Sequence, residues 1–192
     1  MRRVMLEIAD RGAQDEALQV YLDQISAMLM PNTEQPSLYD ALPGDSVSSV
    51  ARARTLTVLP RLDGERKAWV VQFLYESGLI NRGGLVLDLS GADLSGADLS
   101  GANLLGVILR GADLRWAYLS MADLGAADLS LAKLRGIDLC FADLSGSEVQ
   151  QWQIDGAASL KGTTMPNGQN YENWLKDREG TAEGERVATL RN

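Results

Sequence analysis

Carboxylates are the groups in this chain whose spacing could do chemistry. Asp93, Asp98, Asp113, Asp123, Asp128 and Asp143 fall at multiples of five residues, with Asn103 in the same series. Paired carboxylates can act as general acid and base, or hold calcium. The other groups such sites draw on are missing. The chain has no histidine, which removes the commonest general base and every Ser–His or Cys–His nucleophile arrangement. Its single cysteine, Cys140, excludes a multi-cysteine zinc site and an intramolecular disulfide. No Walker loop or dinucleotide glycine fingerprint occurs. The expectation is therefore no enzyme, no catalytic residue, no cofactor-binding residue and no metal ligand.

The elements that carry these carboxylates are set by a repeat. From Leu89 to Leu144 a leucine falls on every fifth position, twelve in unbroken register. Two residues before most of them sits Ala, as at Ala92, Ala97, Ala102 and Ala112, while Leu87, Val107 and Ile137 keep that position apolar. A period of five fits neither a helix at 3.6 nor a strand at 2. A continuous helix would also carry Gly at frequent intervals, each about 1 kcal/mol worse than Ala. The consistent solution is a closed coil of short extended pieces and corners, with the Ala and Leu positions inward and the Asp and the two residues after Leu outward. Stacked coils pair through their backbones about 4.8 Å apart.

Ala-Asp-Leu-Ser-Gly in tandem resembles the pentapeptide-repeat family. The resemblance implies a mainly β fold, a right-handed quadrilateral parallel β-helix with four repeats per coil, preceded here by an α-helical segment. Twelve repeats over residues 87–146 then make about three coils, and positions twenty residues apart stack: Asp93 under Asp113, Asn103 under Asp123 and Asp143, Met121 under Phe141, Arg115 under Arg135. Beyond Leu144 the register weakens. Val149 and Ile154 keep the step, Ser147 and Trp152 replace the small residue, and Leu160 and Met165 resume one residue late. An insertion thus lies between Ile154 and Leu160, with 148–159 a short helix or an irregular closing coil.

The sequence in front of the repeat reads as three amphipathic helices. The first, over 13–30, carries Leu18, Tyr21, Leu22, Ile25, Met28 and Leu29. The second carries Val47, Val50, Ala51 and Leu56 and ends near Pro60; the third starts at an Asp63 N-cap, buries Val70, Phe73 and Leu74, and stops at Gly78. Residues 51–59 and 73–80 resemble the helical region before the repeats in some larger bacterial members, where transmembrane segments can lie further upstream. The division expected is a helical segment at 1–84 capping the solenoid, the solenoid at 85–168, and a polar, partly disordered tail at 169–192.

Composition bounds the partners. The net charge is −8, with ten carboxylates against five cations in residues 85–164, which disfavours direct nucleic-acid binding. No apolar run has the roughly 20 residues of a membrane span, and no signal-peptide pattern follows Arg2 and Arg3. A cytoplasmic protein is expected, and the family resemblance implies a bacterial one. The Asp series reads as a solvated corner of each repeat whose side chains accept local backbone hydrogen bonds. Cys140 faces outward beside Ser120 and Ser100 with no cation to activate it.

The departures from the repeat say more. Ile108, Trp116, Tyr118, Met121, Leu131 and Phe141 stand at outward positions otherwise held by Gly, Ser or Asp. They form a candidate interaction surface, either for a protein partner, with a homodimer foremost, or covered by the chain's own helices or by the tail with Tyr171 and Trp174. The function expected is a non-enzymatic interaction or structural scaffold. The alternative, which the family resemblance implies, is a DNA mimic acting on DNA gyrase or topoisomerase; three coils span less than half of one roughly 34 Å duplex turn.

Overall fold

The computed structural model describes residues 2–30, 37–80 and 86–177. The segments 31–36 and 81–85, with Pro31, Pro36 and Leu85, lie outside the described residues, as does the tail beyond Asp177. Three helices come first: α1 (Arg2–Leu29), α2 (Ser46–Val58) and α3 (Gly64–Glu76). α1 buries Leu18, Tyr21 and Ile25 at three- and four-residue steps, and the Tyr21 hydroxyl meets Thr55 Oγ1 of α2 at 2.9 Å. It starts well before the expected residue 13. Its first turns leave Leu6 and Ile8 exposed, so no apolar stripe marks them in the sequence. α2 runs into a 3-10 turn, Leu59–Arg61, where Pro60 occupies an early position that needs no N–H. Asp63 caps α3 by accepting from the Arg66 N–H at 3.0 Å, and the chain leaves the helix through Gly78 at φ 72°. α1 and α3 are tied by Arg66, whose guanidinium bonds Asp15 and Asp63 at 2.5 Å each.

Residues 88–168 wind into a four-sided stack. Parallel bridges join Asp93 to Asp113, Asp98 to Tyr118, Asn103 to Asp123 and Ile108 to Asp128, each twenty residues apart. The first side therefore holds Ile108, Asp128 and Glu148, with Asp88 at its foot. The second holds Asp93, Asp113 and Lys133; the third, Asp98, Tyr118, Asp138 and Ser159; the fourth, Asn103, Asp123, Asp143 and Thr164. The Ala and Leu positions fill the interior, nearly all of them under 4% exposed. The rungs are isolated bridges, with no continuous strand among the described residues. Each side has five residues, two of them in the corner, and only the middle one of the other three bridges the next coil.

The repeat Ala122–Ala126 shows why this register is stable. Ala122 N–H closes the corner turn on the Leu119 carbonyl (3.1 Å), Asp123 N–H donates down to Ala102 (3.0 Å), and Leu124 and Ala126 N–H donate up to Asp143 (2.8 Å) and Ser145 (2.7 Å). The fifth N–H, of Gly125, has no coil to reach and donates to the Asp123 carboxylate at 2.9 Å. All five donors are satisfied, as a buried backbone requires.

The foot of the stack is met by α2 and α3. Arg52 donates to Asp88 (2.9 Å) and to the Ser90 carbonyl (2.7 Å). Lys67, almost wholly buried, donates to Asp93 and to the Ser95 carbonyl, both at 3.0 Å. Asp98 N–H donates to the Gly64 carbonyl at 3.1 Å. Gly64 must be glycine for this: a Cβ there would drive into the Gly96 carbonyl. One hydrophobic cluster runs unbroken from Leu18 through Val70 and Leu74 to Leu144.

At the top the structure adds what the three-coil expectation lacks, a fourth coil. Glu148 bridges Asp128 on the first side, and Ser159 and Thr164 bridge Asp138 and Asp143 at a step of 21 residues. On the second side the coil is replaced by a short helix, α4 (Gln151–Ile154), which absorbs the extra residue. The buried Gln153 amide donates to the Leu129 (2.7 Å) and Ala132 (2.9 Å) carbonyls. The chain then returns antiparallel at Asn170, opposite Thr164, and residues 171–177 are helical.

Two outcomes follow from these contacts. Asp88 and Asp93 each feel burial, which would raise the carboxyl pKa, but hydrogen bonds from Ser90 and Arg52, and from Ser95 and Lys67, outweigh it and hold both below the ordinary value. Groups depressed on folding stabilise above their unfolded pKa and cease to do so as the pH falls through the folded one. Protection of the α2 and α3 amides, relative to their intrinsic exchange, should therefore fall below about pH 4, and Lys67→Ala should reduce unfolding free energy by about 2 kcal/mol at neutral pH in urea titrations. At the other extreme, burial pushes the Tyr21 hydroxyl up to about 12. Stability present below pH 10 should be lost between about 10 and 12, and absorbance at tyrosinate wavelengths should show one late-ionising tyrosine that Tyr21→Phe removes.

Candidate functional site

The Asp series is the first candidate, and its geometry gives it a structural task. The side chains of Asp93, Asp98, Asn103, Asp113, Asp123, Asp128, Asp138 and Asp143 all accept from the backbone N–H two residues on, at 2.8 to 3.3 Å. Asp113 is further tied to Arg115 at 2.6 Å and Lys133 at 3.7 Å; the Arg115 hydrogen bond is the chief cause holding its carboxyl below the usual range. No group of three or more potential metal-ligating side chains converges among the described residues. Cys140 is half-buried, its Sγ 2.9 Å from Ser159 Oγ.

The corners hold the second candidate. Each corner is a turn closed by the N–H of the next Ala, and its second residue takes a positive φ, as glycine does at 91, 96, 101, 106 and 111. Five non-glycine residues adopt the same conformation: Trp116, Met121, Ala126, Leu131 and Phe141, at φ between 52° and 62°. An L-residue held there costs about 1–2 kcal/mol. Four of the six residues expected to form an outward surface are thus at strained corners.

The register gathers some of the six and separates others. Tyr118 stands in the middle of the third side, with Trp116 at one corner of that side and Met121 and Phe141 stacked at the other. Their exposures are 62% for Trp116, 55% for Tyr118, 69% for Met121 and 59% for Phe141. Ile108 lies on the first side, half-buried, and Leu131 at the corner beyond it. No described helix covers the third-side group, and Tyr171 and Trp174 stack on each other, ring centres 5.9 Å apart.

Two of the large corner side chains lean over glycines of the next coil. Trp116 lies against Gly136, and Phe141 against Gly162, each so closely that a Cβ on the glycine would clash with the ring. Tyr118 also departs from the repeat: it stands at the Asp position, so the Ser120 N–H lacks the carboxylate its counterparts have. The sequence marks all four as misplaced apolar residues; the strain appears only once the turn type is known.

The magnitudes set an expectation. Trp116 keeps roughly a third of its ~250 Å² out of water, about 2 kcal/mol at ~25 cal/mol/Å², against the 1–2 kcal/mol of strain that glycine would relieve. Trp116→Gly should therefore change stability by less than about 1 kcal/mol. Gly136→Ala, forced against the Trp116 ring at φ 75°, should lose 2 kcal/mol or more by roughly the same principles of overpacking and strain. Thermal unfolding of the two variants separates these effects.

The family model for pentapeptide repeats, in eight copies, matches residues 88–124 and 122–157. No curated protein matches the chain. Among solved structures, HetL, a pentapeptide repeat protein involved in heterocyst differentiation regulation from the cyanobacterium Nostoc sp. strain PCC 7120, is 34% identical over 44% of this chain and 43% of its own, at a TM-score of 0.24. A pentapeptide repeat protein of the Arabidopsis thaliana thylakoid lumen is 36% identical over 41% of this chain and 61% of its own, at 0.27. QnrB1, a plasmid-mediated fluoroquinolone resistance protein, is 25% identical over 49% of this chain and 45% of its own, at 0.26. The match spans less than two thirds of each of these proteins.

Proposed function

The chain belongs to the pentapeptide-repeat family through residues 88–157, and on that footing we propose that it is a non-enzymatic scaffold for protein–protein contact. Its stack is a right-handed quadrilateral β-helix, with residues 1–84 acting as a cap, 85–168 as the solenoid and 169–192 as a tail. The observation that carries the reading is the third-side group. Trp116, Met121 and Phe141 occupy strained corners where glycine would be easier, and Tyr118 gives up a backbone hydrogen bond. Local rules broken together on one exposed side, without a described residue to cover them, point to selection for contact. Trp, Tyr and Met are the residue types enriched at such contacts. No described helix is long and apolar enough to cross a membrane.

Self-association is the contact we favour first. The DNA-mimic reading has less support: Asp88, Asp93 and Asp113 are each paired with Arg or Lys, and four rungs rise only about 15 Å.

Light scattering on a size-exclusion column decides between these readings. The variant Trp116→Gly with Met121→Gly and Phe141→Gly keeps the corners in the conformation glycine prefers. A wild-type dimer and a folded monomeric variant are expected. Should both run as monomers and retain the same partners from a lysate, the third side is not the contact surface. Inhibition of gyrase supercoiling by micromolar wild-type protein would put the DNA-mimic reading first.

A further inference from the structure

The second side of the stack ends differently from the others. In the second coil, Gly111 N–H donates to Ser130 (2.8 Å), Leu114 N–H to Lys133 (3.0 Å) and Arg115 N–H to the Asp113 carboxylate (3.2 Å). One coil higher, the equivalent donors are the N–H groups of Leu131, Leu134 and Arg135. None of the three has an acceptor among the described residues. Leu131 and Leu134 have lost theirs because α4 replaces the backbone that would lie above them. Arg135 has lost its own because Lys133 stands where the repeat places Asp.

These donors border a concavity of about 500 Å³, lined by Arg115, Leu131, Lys133, Arg135 and Trp152. Arg115 and Lys133 share Asp113, which leaves net positive charge, and Arg135 has no carboxylate partner among the described residues. Trp152 is 62% exposed and offers an apolar wall. Unpaired backbone N–H groups beside cations attract a negatively charged oxygen, since both the dipoles and the charges favour it. The rest of the chain carries a net charge of the opposite sign.

We propose that the concavity beside α4 binds a small oxyanion, a phosphate or carboxylate group, joined to a planar or apolar portion that packs on Trp152 and Leu131. The oxygens take the Leu131, Leu134 and Arg135 N–H groups, and Lys133 and Arg135 supply the charge. The site lies on the second side and owes nothing to the contact surface of the third, so either can fail without the other.

The test is a titration of the full-length ¹⁵N-labelled chain with inorganic phosphate, phenyl phosphate and benzoate. Saturable amide shifts are expected at Leu131, Leu134 and Arg135 and at the Trp152 indole. Phenyl phosphate should bind about tenfold more tightly than inorganic phosphate, and its ratio to benzoate tells a phosphate site from a carboxylate site. Lys133→Asp restores the residue the repeat prefers, returns an acceptor to Arg135 N–H and removes a cation. It should fold normally and weaken binding at least about tenfold, whereas Arg110→Ala should not change it. Shifts scattered over surface cations, saturable binding that survives Lys133→Asp, or no response to any of the three probes would overturn the proposal.

Discussion

Backbone N–H groups must find acceptors, and in this molecule almost every other feature follows from how a five-residue unit meets that requirement. Two donors per repeat reach the coil above, one the coil below and one the corner it has just turned. The fifth is left over, and the Asp side chain takes it. The carboxylates that look like an active-site array are therefore part of the main chain's hydrogen bonding. They recur because the orphan donor recurs, and the acidity of the solenoid is a by-product of that arrangement.

The same requirement explains how the stack begins and ends. A first coil has groups pointing at nothing below it, and α2 and α3 bring Arg52, Lys67 and the Gly64 carbonyl to them. These contacts are charged and fixed in place. Lys67 is buried where only a carboxylate and a carbonyl together can hold it, and Gly64 must approach the Gly96 carbonyl without a side chain between. At the other end the Gln153 amide and the Thr163 hydroxyl, 2.7 Å from the Leu139 carbonyl, stand in for missing backbone donors. What they supply are donors for carbonyls, and the N–H groups of Leu131 and Leu134 are passed over.

Much of this was legible in the residues. The period of five, the inward Ala and Leu and the twenty-residue stacking depend on composition at fixed spacing, which the sequence displays directly. α2 and α3 were legible because Asp63, Pro60 and Gly78 punctuate them, but α2 turns a different face inward than its apolar residues suggest: Ser48, Ala51, Thr55 and Val58 are buried while Val50 is exposed. The start of α1 was not legible, because Leu6 and Ile8 carry no buried stripe. The insertion before Leu160 and the short helix or closing coil at 148–159 were legible from the broken step, but that this stretch completes a fourth coil was not, because α4 puts Trp152 outward and Ser147 is buried with no partner for its hydroxyl among the described residues. Trp116, Met121 and Phe141 were visible as outward residues, but their positive φ and their seating over glycines depend on the turn. Lys133 at an Asp position was the one sequence sign of the second-side concavity, and it gains meaning only beside the absent fourth-coil backbone.

The 21-residue step at the top carries a consequence for how such a chain can change over time. In a stack with a five-residue period, adding or losing one residue turns every later side chain to the wrong face, core leucines outward and corner serines inward. Only whole repeats can be gained or lost without that phase error, and only whole coils without rotating later sides by a quarter turn. α4 is the exception: a helical turn in place of a side converts a one-residue indel into a local bulge and returns Leu160 and Met165 to the interior position. Among the described coils, tolerance to a one-residue change in length is concentrated at α4, the same element that borders the second-side concavity.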